Sequence, residues 1–275
     1  MTFSILGPAR VAVAGVPVPI DSPALRAVLA ALLISREHQL RFDGFERVLW
    51  DRPPPSSESN IRSYVARLRA RFRTAGPDLE ARLTSARGRG GYLLRVADGE
   101  FDLAVFTELT RRAQARLRQG RLDDAADLLH RAVGLWHGPA GSDVNVSGAL
   151  MRLLEDLDEQ RVVAVEDLLD VRLALGESGS LLQQLRTMVL ENPTRERPRA
   201  QLIRALYLAG DPSGALLAYQ QARADFDELL GIGLPERIER LQHAVLRRDE
   251  GWIRQTPAVA TTGRVSPAGA QVVGA

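Results

Sequence analysis

The sequence predicts a mainly α protein with a small β component, an α+β unit over residues 1–97 followed by an all-α helical-repeat unit over 98–252. Three observations carry this. Short alternating apolar pieces broken by Gly and Pro fall only before residue 97. Amphipathic helix is nearly continuous after Phe101. A register of one Gly and three apolar positions recurs three times in that second stretch.

The first unit divides as follows. Phe3, Ile5, Val11, Val13, Val16 and Val18, interrupted by Gly7-Pro8, Gly15 and Pro17, predict a small antiparallel sheet. Ser22 offers an N-cap before Pro23, and Leu25, Val28, Leu29, Leu32 and Leu33 follow at helical spacing. Asp43 with Glu46 has the form of a capping box for a second helix, buried through Phe45, Val48, Leu49 and Trp50 and stopped by Pro53-Pro54-Pro55. A third helix restarts at Ser56 or Ser57, with Ile61, Val65, Leu68 and Phe72 on one face. After Gly76-Pro77, two extended pieces, from Leu83-Thr84 and from Tyr92 to Val96, flank Gly88-Arg89-Gly90-Gly91. Strands, three helices and a closing hairpin are the element order of a winged helix.

In the second unit Gly120, Ala125, Leu129 and Ala132 share their offsets with Gly176, Leu181, Leu185 and Met188, and with Gly210, Ala215, Tyr219 and Ala222. Gly176 and Gly210 lie one tetratricopeptide period apart. A loop around Gly138-Pro139-Ala140-Gly141 and an extra helix from Leu150 separate the first two copies. Trp136 and Tyr219 belong to the core pattern. Residues 253–275 carry no periodicity and are expected to be disordered.

Charge follows the same division. Residues 1–95 hold 15 Arg against 8 acidic residues, and residues 96–275 hold 21 against 26. Between Asn60 and Arg95 there are 9 Arg and only Asp78 and Glu80. A basic module joined to an acidic one points to a polyanion-binding unit with a partner-binding unit behind it. The chain has no Lys and no Cys. The missing Cys excludes disulfides, thiolate nucleophiles and thiolate metal sites. His38, His130, His137 and His243 are scattered, and Gly88–Gly91 opens a strand where a phosphate loop would open a helix. No cofactor, no metal and no catalytic constellation is expected. The start lacks a signal-peptide pattern, and no apolar run is long enough for a membrane span, so the expected location is the cytoplasm.

An Arg-rich helix with short polar residues at its start suits the major groove of duplex DNA. Ser59, Asn60, Ser63 and Arg67 are the candidates for reading bases. Arg62, Arg69, Arg71 and Arg73 are the phosphate candidates, and Arg87, Arg89 and Tyr92 are those of the wing.

The residues also resemble a family. Leu6-Gly7-Pro8, Pro23-x-x-Arg26-x-x-Leu29-Ala30-x-Leu32-Leu33, Leu49-Trp50, Tyr64-Val65-x-Arg67-Leu68-Arg69 and Gly91-Tyr92 are similar to the OmpR-type winged helix of the actinobacterial antibiotic regulatory proteins, the SARP family. Phe101-Asp102, Leu135-Trp136-x-Gly138-Pro139-Ala140, Asn192-Pro193-x-Arg195-Glu196-Arg197 and Leu206-Tyr207-x-Ala209-Gly210 resemble its bacterial transcriptional activation domain. The resemblance covers about residues 3 to 250. It implies an activator of biosynthetic gene clusters that binds short direct repeats in double-stranded DNA, as a possible homodimer, and recruits RNA polymerase through its sigma and alpha subunits. It implies no enzyme and no membrane. The chain departs from the family at Ala24 (commonly basic), at Asp51 after Trp50 (usually Gly), at the wing tip Arg87-Gly88-Arg89-Gly90 and at Ile232-Gly233. No receiver domain precedes the winged helix, so aspartate phosphorylation within this chain is not the expected switch. The competing reading is a helical-repeat adaptor whose winged helix no longer reads DNA.

Overall fold

The structure, a computed structural model, describes residues 1–86 and 90–254. Its backbone forms two compact units. Among the described residues, one comprises Met1–Leu109 with Arg131–Val162, the other Thr110–His130 with residues 163–254.

The first unit opens with a three-stranded antiparallel sheet, β1 (Thr2–Ser4), β2 (Arg10–Val13) and β3 (Val16–Pro17), in which Phe3 pairs with Val11. Ala14 and Gly15, both at positive φ (50° and 82°), make the two-residue turn between β2 and β3 that matches strand twist. Helix α1 (Pro23–Ile34) is buried on nearly every side, from Leu25 through Ala27 to Leu33, as expected of the helix around which a small unit packs. Helices α2 (Phe42–Leu49) and α3 (Ser57–Ala75) pack on it, and the short α4 (Pro77–Glu80) follows. A second sheet has the order β4 (Gln39–Leu40), β6 (Tyr92–Leu94), β5 (Leu83–Ser85). β5 and β6 are the anticipated hairpin. β4, too short to carry a periodicity, is legible only once the hairpin is in place.

Two local expectations are corrected. Asp43 does not cap α2: the helix starts at Phe42, Asp43 pairs with Arg41 and Arg47 at 3.6 and 3.3 Å, and Glu46 accepts a hydrogen bond from the Ser57 hydroxyl instead of closing a capping box. The partner across the α2–α3 turn is stronger competition for that carboxylate than its own helix start. Residue 253 does not begin an unstructured tail either. A last helix runs Glu250–Arg254, Ile253 is fully buried, and its carbonyl accepts from Arg204 Nε at 3.0 Å. Residues 255–275 lie outside the described residues.

The first unit also takes in chain far beyond the winged helix. Asp102 accepts from the backbone N–H of Ile5 and Leu6 at 3.0–3.1 Å; burial pushes its carboxyl up while these donors pull it down. His137 N–H donates to Leu6, Gly141 N–H to Ile5, and Asp143 accepts from Ala9 N–H at 2.7 Å.

The second unit draws on α5 (Asp102–Arg118), α6 (Leu122–Val133), the 27-residue α7 (Gly148–Ala174), α8 (Ser178–Glu191), α9 (Glu196–Leu208), α10 (Pro212–Leu230), α11 (Glu236–Arg247) and α12 (Glu250–Arg254). The repeat register has a physical cause. Gly120, Gly176 and Gly210 sit at φ 72°, 89° and 88°, each following a helix. In each case the next residue's N–H reaches back five residues: Arg121 to Arg116, Glu177 to Arg172, Asp211 to Leu206. These are three Schellman ends, which require a left-handed residue. Space beside each glycine is open, so φ alone selects Gly. Arg248 (φ 55°) makes a fourth such end with Asp249 N–H to Ala244, without glycine. A buried ionic cluster links α7 to the start and body of α9: Glu166, Asp167 and Asp170 meet Arg195, Arg197 and Arg204, with Arg197 at 2.6 Å from Asp167 and 2.8 Å from Asp170.

Gly210→Val should lower the stability of the full chain by about 1–2 kcal/mol, and Arg248→Gly should raise it by about 0.5–1 kcal/mol, because only the backbone conformation differs in favourability. Thermal melts of both variants check this; equal shifts of one sign would contradict it. A chain ended at Trp252 should melt below one ended at Arg254, by the loss of one buried isoleucine worth about 1.5–3 kcal/mol.

Candidate nucleic-acid interface

α3 can present only what its packing leaves. Ile61, Val65, Leu68 and Phe72 are each at most 1% exposed. With 3.6 residues per turn, the side opposite that row carries Ser59, Ser63, Ala66 and Ala70. One flank carries Arg62, Arg69 and Arg73, the other Asn60, Arg67 and Arg71. The outer face is thus a ridge of small side chains between two rows of arginines, low enough for the helix to seat deeply in a groove.

The arginines differ in how the fold holds them. Arg62 lies 2.5 Å from Glu58, which raises its pKa chiefly through their hydrogen bond, and its guanidinium stands 5.2 Å over the Phe42 ring. Arg69 Nε donates to the Leu83 carbonyl at 3.1 Å, tying α3 to the first wing strand. Arg71 pairs with Asp21 at 3.4 Å, and Arg73 with Glu80 at 3.9 Å. Arg67 is exposed and has no ion pair among the described residues. Arg67, Arg71 and Arg73 line one groove with Asp21 and Ser22, at the start of α1. Asp21 was missed by the sequence argument, although an acid directly before a Ser-Pro helix start signals a charge held near that end. Ser59 and Ser63 are exposed, and Asn60 is half-buried with its amide 3.3 Å from the Ser56 hydroxyl. Tyr92 is half-buried, its ring edge-on to Phe42 and Phe45 at 5.9 and 6.3 Å, so it joins the wing to α2. Arg87 and Arg89 lie outside the described residues.

This geometry suits a polyanionic duplex. Exposed ion pairs contribute little to stability, so Arg62, Arg71 and Arg73 can exchange their carboxylates for phosphates at little cost.

Comparison with known proteins agrees. Residues 101–246 match the bacterial transcriptional activator domain. The transcriptional regulatory protein EmbR of Mycobacterium tuberculosis is 30% identical over 97% of this chain and 68% of its own length. The regulatory proteins AfsR of Streptomyces coelicolor (31% over 99% of this chain and 27% of AfsR) and DnrI of Streptomyces peucetius (30% over 79% and 82%) are also similar. The chain belongs to the SARP family. A solved structure of EmbR, in complex with a low affinity phosphopeptide, superposes with a TM-score of 0.84 over 92% of this chain and 68% of that one. SARP proteins are DNA-binding transcriptional activators, not enzymes, and this SARP shares their winged-helix and helical architecture. Among the described residues, no helix is long and apolar enough to cross a membrane.

The wing of this SARP depends on Gly91. Its φ is 134°, and a Cβ there would lie 2.8 Å from the Arg41 Cα and collide with the Leu40 carbonyl, where β4 meets β6. Gly91→Ala should therefore cost about 1–3 kcal/mol by strain and forced backbone movement. Urea unfolding checks it; a stability within error of the parent would mean the wing accommodates a side chain.

Proposed function

We propose that this SARP acts in the cytoplasm as an activator of a biosynthetic gene cluster, binding direct repeats at its promoter, with a homodimer on DNA, and recruiting RNA polymerase through the sigma and alpha subunits. In this reading residues 1–97 read DNA and 98–252 meet the polymerase. The observation that carries the DNA part is the small-residue ridge of α3 bordered by arginines, with Arg67 exposed and in no ion pair among the described residues. Ser59, Asn60, Ser63 and Arg67 read bases from the exposed half of the helix. Arg62, Arg69, Arg71 and Arg73 take phosphates, with Arg69 limited by its bond to Leu83 and Tyr92 supplying its hydroxyl. Membership of the SARP family supports the gene-cluster part.

The test uses duplexes recovered by the full chain from a random-sequence pool, against a scrambled duplex, over a salt series. Arg67→Ala should lower affinity for the recovered duplex by about 5- to 150-fold, the value of a lost bidentate base contact, and relax one base position. Arg71→Ala should weaken both duplexes equally and lower the salt slope by about one unit. If Arg67→Ala weakens both duplexes by the same factor, Arg67 is a phosphate anchor. If the parent chain retards no duplex at low salt, the adaptor reading stands instead.

A further inference from the structure

The α2–α3 turn sets the angle at which α3 leaves the core. A cleft of about 200 Å³ opens beside it, lined by Ala24, Ala27, Leu49, Trp50, Tyr64 and Val146. Trp50 and Tyr64, one on each side of the turn, stand 6.4 Å apart at a 30° tilt without close stacking. Polar contacts also hold this turn, the local one being the Ser57 hydroxyl on the Glu46 carboxylate.

Further contacts come from about a hundred residues downstream. The Ser147 hydroxyl, 4% exposed, donates to the Val48 carbonyl at 2.6 Å, one of the carbonyls that the end of α2 leaves without a helical partner. The same hydroxyl accepts from Leu150 N–H at 3.1 Å, capping the start of α7. In return, Asp51, in the turn, accepts from Gly148 N–H at 2.9 Å with one carboxylate oxygen. The C-terminal end of α2 and the N-terminal end of α7 thus cap each other, with the negative pole of one helix facing the positive pole of the other. A glycine at position 51 would have no side chain with which to make the second half of this exchange.

We infer that Asp51 and Ser147 are positioning residues for DNA readout: they fix the α2–α3 turn to the start of α7 and so hold α3 at the angle its base contacts require. The inference rests on the proposed DNA reading by α3. Losing the caps leaves the arginines in place, so attraction to phosphate persists while alignment with base edges suffers. A second copy of the effect runs the other way: whatever holds α7 steadies the turn.

The experiment uses the full chain, with Asp51→Gly, Ser147→Ala, and the conservative Asp51→Asn and Ser147→Thr, which keep an acceptor oxygen and a hydroxyl. Hydrogen exchange without DNA is read first. Asp51→Gly and Ser147→Ala should each speed exchange in both the 48–57 turn and the first turn of α7, and the conservative pair should restore protection. Binding is read next, on the duplex recovered from the random pool and on its scrambled counterpart. Preference for the recovered duplex should fall about fivefold or more, the low end of ordinary coupling between linked elements, with scrambled binding unchanged. Faster exchange with unchanged preference, or equal loss on both duplexes, overturns the inference, as does unchanged exchange at the turn. Absence of any recovered duplex for the parent chain would sink the DNA reading itself, whatever exchange shows.

Discussion

Burial of one face of α3 is the constraint on which the rest of the DNA-facing surface depends. Ile61, Val65, Leu68 and Phe72 pack against α1 and α2, and a helix so held cannot rotate about its axis without withdrawing four apolar side chains from the core. Everything the helix shows to solvent follows from that choice: the Ser and Ala ridge, and the arginines on either side. The same packing places Arg69 against Leu83, so the wing strand takes its position from the helix that it flanks. Glu46 and Ser57 then fix α2 to the start of α3.

Arginine has two roles in this chain, and charge counts alone do not separate them. In the first unit Arg26 spans Ile20 and Asp143, and Arg82 forks onto Glu100 at 3.1 Å with both nitrogens, while Arg67 is left outward. In the second unit Arg197 and Arg204 are internal cations matched to Asp167 and Asp170. Burial pushes the Asp167 carboxyl up and the Arg204 guanidinium down, whereas the two carboxylates hold Arg197 above its ordinary value despite burial. These pairs are neutral together, so the contrast between a basic first part and an acidic second part survives their removal from the surface. Breaking one by deleting a partner would leave an uncompensated internal charge, which costs about 3–5 kcal/mol.

The sequence was most legible where one local rule acts alone. The repeat register could be read from Gly120, Gly176 and Gly210 because each answers a single demand, a positive φ at a helix end. The buried face of α3 was legible for a similar reason: periodicity reports burial directly. Legibility failed where partners are distant in sequence. The pull of Ser57 on Glu46, of Asp21 on Arg71 and of Leu83 on Arg69 leaves no mark in composition or spacing. Arg248 shows the opposite limit: its left-handed backbone is hidden because the residue there is not the one that geometry favours.

The same argument explains why the first compact unit extends past the winged-helix pattern. Ile5, Leu6 and Ala9 turn their backbone N–H groups away from the sheet ladder, and buried backbone donors must find acceptors. They find them in Asp102 and Asp143, and the carbonyls of Ile5 and Leu6 accept from Gly141 and His137. Gly7, at φ 145°, runs so close to His137 that a Cβ would lie 3.2 Å from its side chain, so the loop passes His137 as bare backbone at Gly7. A motif boundary read from sequence marks where a pattern of elements ends, but a folding unit ends where its hydrogen bonds are complete. Here that requires the segment from His137 to Gly148, which brings with it the start of α7 and the hydroxyl of Ser147 under the turn that aims α3.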